Sequence, residues 1–151
     1  YCLDESKQLV LKRRGITISN GMDWTKDGKY MYYIDTALSS VLRFDFDAVS
    51  GGITNDCKVI EIPKGHGVPD GMTIDPDGNL WIGLWGGAAV GVWNPTNGKL
   101  LFKVELDAPN VTSCTFDEHY RKLYITTARQ GLNKDQLKKY PFSGGLFSFQ
   151  P

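Results

Sequence analysis

The sequence predicts an all-β propeller assembled from repeated four-stranded blades. Three observations carry that expectation: a segment that recurs at blade-length spacing, Asp-Gly pairs set between apolar runs, and short strand-like runs punctuated by turn residues. The recurrence is anchored at Asn20, Asp70 and Thr112, which stand 50 and 42 residues apart (70 − 20 and 112 − 70). Both periods suit propeller blades.

In chain order, residues 1–13 read as the outer hairpin of a preceding blade, with Tyr1–Leu3 and Gln8–Lys12 flanking a turn at Asp4-Glu5-Ser6-Lys7. The first full unit, 18–62, opens with Asn20-Gly21-Met22-Asp23-Trp24 and turns at Asp27-Gly28. It continues through Tyr30–Asp35 and Ser40–Phe46, turns again at Ser50-Gly51-Gly52, and ends with Lys58–Ile62. The second unit, 70–106, repeats the plan with Asp70-Gly71-Met72-Thr73-Ile74, Asp77-Gly78, Leu80–Leu84, Ala89–Trp93, the turn 94–98 and Leu100–Leu106. The third, 112–150, carries Thr112–Phe116, Leu123–Thr127 and Gly145–Phe149, with a polar stretch around Asn133–Lys139 that fits a helical turn or two on the surface. An Asp-Gly pair is a two-residue hairpin signal because both residues tolerate positive φ. Each unit therefore begins with a hairpin. Three blades and a hairpin cannot close a ring by themselves, so the chain is expected to be the C-terminal half of one propeller domain. The missing N-terminal half is then expected in the same or a companion chain.

Bulk composition narrows the partners. Of 151 residues, 41% are hydrophobic and 12% aromatic, enough for a packed core. Seventeen basic side chains balance seventeen acidic ones, so long-range attraction to nucleic acid or to an anionic membrane is not expected. No apolar run approaches the ~20 residues of a membrane helix. Cys2, Cys57 and Cys114 form no C-x-x-C pair, and the first residues have neither the apolar run nor the basic flank of a signal peptide. Reduced thiols in a cytoplasmic protein are the expectation.

The candidate chemistry lies at the starts of the innermost strands, because equivalent positions in successive blades converge on the propeller axis. Asn20 and Asp70 occupy such positions, each offers an oxygen donor, and each is followed by a glycine that permits close approach. Oxygen donors suit hard cations. On spacing alone, Asn-Gly and Asp-Gly are equally ordinary turn dipeptides, and that plainer reading competes.

The runs Ile18–Trp24, Tyr32–Asp35, Pro69–Asp75, Gly78–Trp81, Thr112–Cys114 and Leu123–Arg129 resemble the regucalcin (senescence marker protein), gluconolactonase and luciferin-regenerating enzyme family over nearly the whole chain. The resemblance implies a six-bladed propeller with one divalent cation near its axis, Ca²⁺ first, with Zn²⁺, Mn²⁺ or Mg²⁺ as alternatives. It implies Asn20 and Asp70 as metal ligands, and Asp70 as the catalytic residue that takes a proton from the water attacking a sugar-type lactone. A further Glu ligand and the substrate-holding Arg and Asn of the family belong to its N-terminal half. Ala89 stands where relatives carry Arg. The rival readings are a non-catalytic calcium-binding regulatory protein and a propeller used as an interaction platform. Among the remaining candidates, His66 and His119 read as solvated and Cys114 as inner-strand packing. Asp23, Asp35 and Asp75 are expected to make turn or inter-strand hydrogen bonds that follow the repeat. The four tryptophans read as blade packing, with Trp85 nearest a ligand.

Overall fold

A computed structural model of the protein describes residues 1–3 and 5–151. Among the described residues, thirteen strands run in chain order with a single α-helix. A short hairpin comes first, β1 (Cys2–Leu3) with β2 (Leu9–Val10); of the expected turn, Asp4 lies outside the described residues. The first blade is a four-stranded antiparallel meander of β3 (Ser19–Trp24), β4 (Tyr30–Asp35), β5 (Ser40–Asp47) and β6 (Gly52–Glu61). The second repeats it with β7 (Val68–Ile74), β8 (Leu80–Trp85), β9 (Ala89–Asn94) and β10 (Lys99–Glu105). The third contains β11 (Asn110–Phe116), β12 (Leu123–Ala128) and β13 (Leu146–Phe149), and one bridge between Asn110 and Trp85 joins it to the second. The repeated all-β architecture expected from the sequence is present.

Three details depart from the sequence reading. The third unit has three strands among the described residues rather than four, because its polar stretch is spent on α1 (Lys134–Lys139) and the turns around it. In that helix the Asn133 side chain accepts from the Gln136 N–H while Gln136 reaches back, a reciprocal cap that satisfies two otherwise orphaned donors. The Asp-Gly pairs sit inside the longer turns 25–29 and 75–79 rather than two-residue ones. There the side chains of Asp27 and Asp75 accept N–H groups two residues on, and Gly28 and Gly78 supply the positive φ. Finally, β6 begins at Gly52, well before the expected Lys58, because the chain re-enters the ladder directly after the left-handed Gly51.

The blades stack face to face. Ile34, Val41 and Ile60 of the first blade pack on Leu80, Ile82, Leu84 and Trp93 of the second. Trp81, Val90 and Val92 point the other way, onto Val111, Leu123 and Ile125 of the third. Strand alternation therefore gives the middle blade two buried faces. Trp81 anchors one of them, with its ring edge-on to Phe102 and Phe116 and its Nε1 donating to Asp75 Oδ2 at 2.9 Å.

Candidate functional site

The three inner strands β3, β7 and β11 adjoin one another, and glycine makes the approach possible. A Cβ on Gly21 would stand 2.7 Å from the Met72 amide nitrogen, and one on Gly71 would stand 2.2 Å from Ser113 Oγ. No larger residue fits at either place without moving a neighbouring strand. Asp23 ties the same strands further along, its Oδ2 accepting from Ile74 N at 2.9 Å and from Thr73 Oγ1 at 3.2 Å.

Each inner strand also carries a β-bulge at the same point of the repeat. Pairing steps from Ser19–Asp35 to Met22–Tyr33, from Pro69–Leu84 to Met72–Ile82, and from Val111–Thr127 to Ser113–Thr126. Every step uses one more residue on the inner strand than on its partner. The extra residues fall at Asn20-Gly21, at Asp70-Gly71 and at Thr112. Bulges re-aim side chains and occur beside active sites, so the repeat that marked these positions in the sequence corresponds to a repeated backbone irregularity.

The two expected ligands stand on neighbouring strands and are linked through Thr36. Asp70 is half-buried, and burial pushes its carboxyl above the ordinary value while a hydrogen bond from the Asn20 side chain opposes the rise. Asn20 Nδ2 also donates to Thr36 Oγ1 at 3.1 Å, and Thr36 Oγ1 donates to the Pro69 carbonyl at 2.7 Å. Below this network Asp35 is 1% exposed and accepts from the N–H groups of Thr17, Ile18 and Ala37. Burial raises its carboxyl, but the three donors together outweigh that and hold it below the ordinary value. The Asp35-Thr36 pair does not follow the repeat as expected: by strand register the second unit has Leu84-Trp85 in its place and the third Thr127-Ala128. Thr36 is a residue that sequence reasoning missed, and no local pattern marks it.

Asn20 and Asp70 fit the oxygen-donor chemistry of a hard divalent cation and fill only part of its coordination shell. Among the described residues no three His, Cys, Asp or Glu side chains gather into a further ligand cluster. The other candidates fall largely as expected. Cys114 is buried with its thiol pushed up to about 12 by burial, and its Sγ contacts the Trp81 carbonyl at 3.3 Å. It packs and is no nucleophile. His119 is on the surface beside Glu118, whereas His66 is half-buried rather than solvated, and its Nδ1 has no partner. Ala89 is buried in β9. Trp85 closes β8, half-buried and paired with Val68 and Asn110.

Fold and site together define a propeller-type scaffold with paired oxygen donors where its inner strands begin. The chain belongs to the SMP-30/gluconolactonase/LRE-like family, whose model matches residues 1–129. Among curated relatives it is 41% identical over 148 residues to regucalcin of Oryctolagus cuniculus, covering 97% of this chain and 50% of that protein. It is 37% identical over 151 residues to YvrE, a proposed sugar lactone lactonase of Bacillus subtilis (strain 168), covering 99% and 52%. Its fold superposes on luciferin-regenerating enzyme with a TM-score of 0.88 at 31% identity, over 99% of this chain and 50% of that one. On a calcium-binding protein, regucalcin, of Agrobacterium tumefaciens the TM-score is 0.81 at 28% identity, over 87% and 45%. The chain thus spans about half the length of the relatives it matches. No helix among the described residues is long and apolar enough to cross a membrane.

Proposed function

We propose that this chain supplies the Asn20 and Asp70 half of a divalent-cation site in a hydrolase of sugar-type lactones. The observation that carries the reading is that Asn20 and Asp70 each fall at a bulge on one of two adjoining inner strands, with Thr36 joining Asn20 to the Pro69 carbonyl next to Asp70. Family membership supports a lactonase-like or regucalcin-type role in general. A bound cation would polarise the lactone carbonyl. Asp70 would then take the proton of the attacking water as the new carbon–oxygen bond forms and the ring ester bond breaks. Asn20, whose amide is not basic, holds and orients. Calcium is the preferred ion, supported by the calcium-binding description of the Agrobacterium tumefaciens relative; Zn²⁺, Mn²⁺ and Mg²⁺ are the alternatives to assay. The cytoplasm is the proposed location.

We also propose that the remaining blades come from an N-terminal half in the same or a companion chain. The outward face of the first blade supports this: Met22, Trp24, Phe44 and Phe46 line an apolar cavity of about 570 Å³ whose lining also includes residues of the N-terminal segment. The middle blade's equivalent surfaces are covered on both sides.

The test is made in the intact protein. Asp70→Asn keeps an oxygen donor and removes the basicity, so the cation should still bind while lactone turnover falls by a factor on the order of 10² or more. Asn20→Ala should weaken cation affinity and recover in part at high cation concentration. Wild-type turnover of Asp70→Asn at saturating cation would remove Asp70 from the role of base. Cation binding by a wild-type protein that turns over no lactone would favour the calcium-binding regulatory reading, the one supported by the regucalcin relatives.

A further inference from the structure

We infer that Thr36, which lies outside the repeat and touches neither substrate nor cation, is the positioning residue that fixes which end of the Asn20 amide is offered for coordination and locks the Asn20 and Asp70 strands in register. The inference rests on the reading of Asn20 and Asp70 as ligands and extends it to a residue with no role there so far.

The argument is one of proton counting. A threonine hydroxyl has one proton to give. Thr36 Oγ1 gives it to the Pro69 carbonyl at 2.7 Å, and Pro69 is buried immediately before Asp70 in β7. Toward Asn20 the same oxygen can therefore only accept, and it does so from Nδ2 at 3.1 Å. An Asn20 amide turned the other way would set its Oδ1 against the lone pairs of Thr36, with no proton between them. The hydroxyl thus selects one of two nearly isosteric amide orientations, leaving Oδ1 turned away from Thr36 and available as a donor atom. The backbone repeats the tie: the Thr36 N–H donates to the Ile18 carbonyl at 3.0 Å on the strand entering Asn20. Asp35, with its three N–H donors, holds the turn that carries Thr36. One side chain therefore spans the two strands that bear the two ligands. Partners behind a metal ligand commonly alter affinity about 10–100-fold when removed.

Two measurements test the inference. In the metal-free intact protein, NMR should show the Asn20 Nδ2 protons, assigned with Asn20→Ala, exchanging with water about tenfold more slowly than those of Asn97, an exposed turn residue, as one ordinary hydrogen bond implies. Thr36→Val should return the Nδ2 proton that faces Thr36 to the Asn97 rate. Exchange of Asn20 as fast as that of Asn97 in the unmodified protein would overturn the inference without recourse to any variant. In calorimetric titration with Ca²⁺, Thr36→Val should weaken binding about 10–100-fold, while Thr36→Ser, which keeps the hydroxyl, should stay within about threefold of wild type. A merely structural threonine would lower the melting temperature of both variants and leave their Ca²⁺ affinities alike. Equal affinity of Thr36→Val and wild type, with Asn20→Ala and Asp70→Ala both impaired, overturns the role of Thr36. Unchanged affinity in all three variants overturns the cation reading itself, and the exchange measurement still decides the orientation of the amide.

Discussion

The first and second blades carry the same motif, the same inner-strand bulge and the same four-strand order, yet they stand in different surroundings. Strand β8 of the second blade is buried from Leu80 through Leu84, because alternate side chains enter two different cores. In the first blade one face packs on the second blade, while the other buries Met31 and Phe44 but leaves Met22 48% and Trp24 37% exposed. Asp70, the proposed base, sits on the blade clamped from both sides. Asn20 sits on the half-covered blade, and it is on that side that the Asp35-Thr36 tie is found. The difference teaches that a repeated motif does not confer repeated rigidity. Where packing on one face is lacking, a polar clamp substitutes for it.

The sharpest way to break this comparison is to truncate one tryptophan in each blade. Trp81→Ala should destabilise the fold by about 3–5 kcal/mol, the range for a large buried aromatic, since the residue is 4% exposed and packs edge-on against two phenylalanines. Trp24→Ala should cost less than half as much in the same chemical denaturation, and equal losses would refute the asymmetry between the blades. The clamp is tested next. Asp35→Ala leaves the N–H groups of Thr17, Ile18 and Ala37 without their acceptor and should cost on the order of 3 kcal/mol.

The clamp also has a pH signature. Because the folded protein holds the Asp35 carboxyl below its ordinary value of 3.8, its contribution is complete above that value and is lost as pH falls through the lower folded value. Stability curves of the wild type and Asp35→Asn should therefore converge below about pH 4. Parallel curves down to pH 2 would show that Asp35 contributes nothing through its charge. The smallest effect is expected where the N-terminal segment crosses the first blade. Arg13 pairs with Asp56 through two bonds of 3.1 and 2.9 Å at an exposed position, so Arg13→Ala should cost about 0.2–1 kcal/mol and less in high salt. A larger loss would make that segment a structural part of the blade.

Much of the site was legible because its markers are local. Gly21 and Gly71 had to follow the donor residues for the inner strands to approach, and such glycines are visible in a single sequence. Asp75 announced its turn by the residues around it and indeed accepts from Asp77, Asn79 and Trp81. Thr36 gave no such sign. Its two partners, Asn20 and Pro69, are 16 and 33 residues away, and nothing in a Thr at a strand end distinguishes a tether from an ordinary turn residue. Asp35 was legible as a hydrogen-bonding aspartate, but its place outside the repeat became apparent only when strand register aligned it with Leu84 and Thr127.

By itself the sequence determined the strands, the turns that separate them and the blade period, because alternation and turn chemistry act over a few residues; Asn20 and Asp70 as oxygen donors were what the family resemblance implied. The tertiary structure alone decided that the bulges fall on those donors, that burial raises the Asp70 carboxyl, and that a threonine from a neighbouring turn orients Asn20. Those properties arise from contacts between segments remote in the chain. They depend on register and desolvation, which no local pattern of residues specifies.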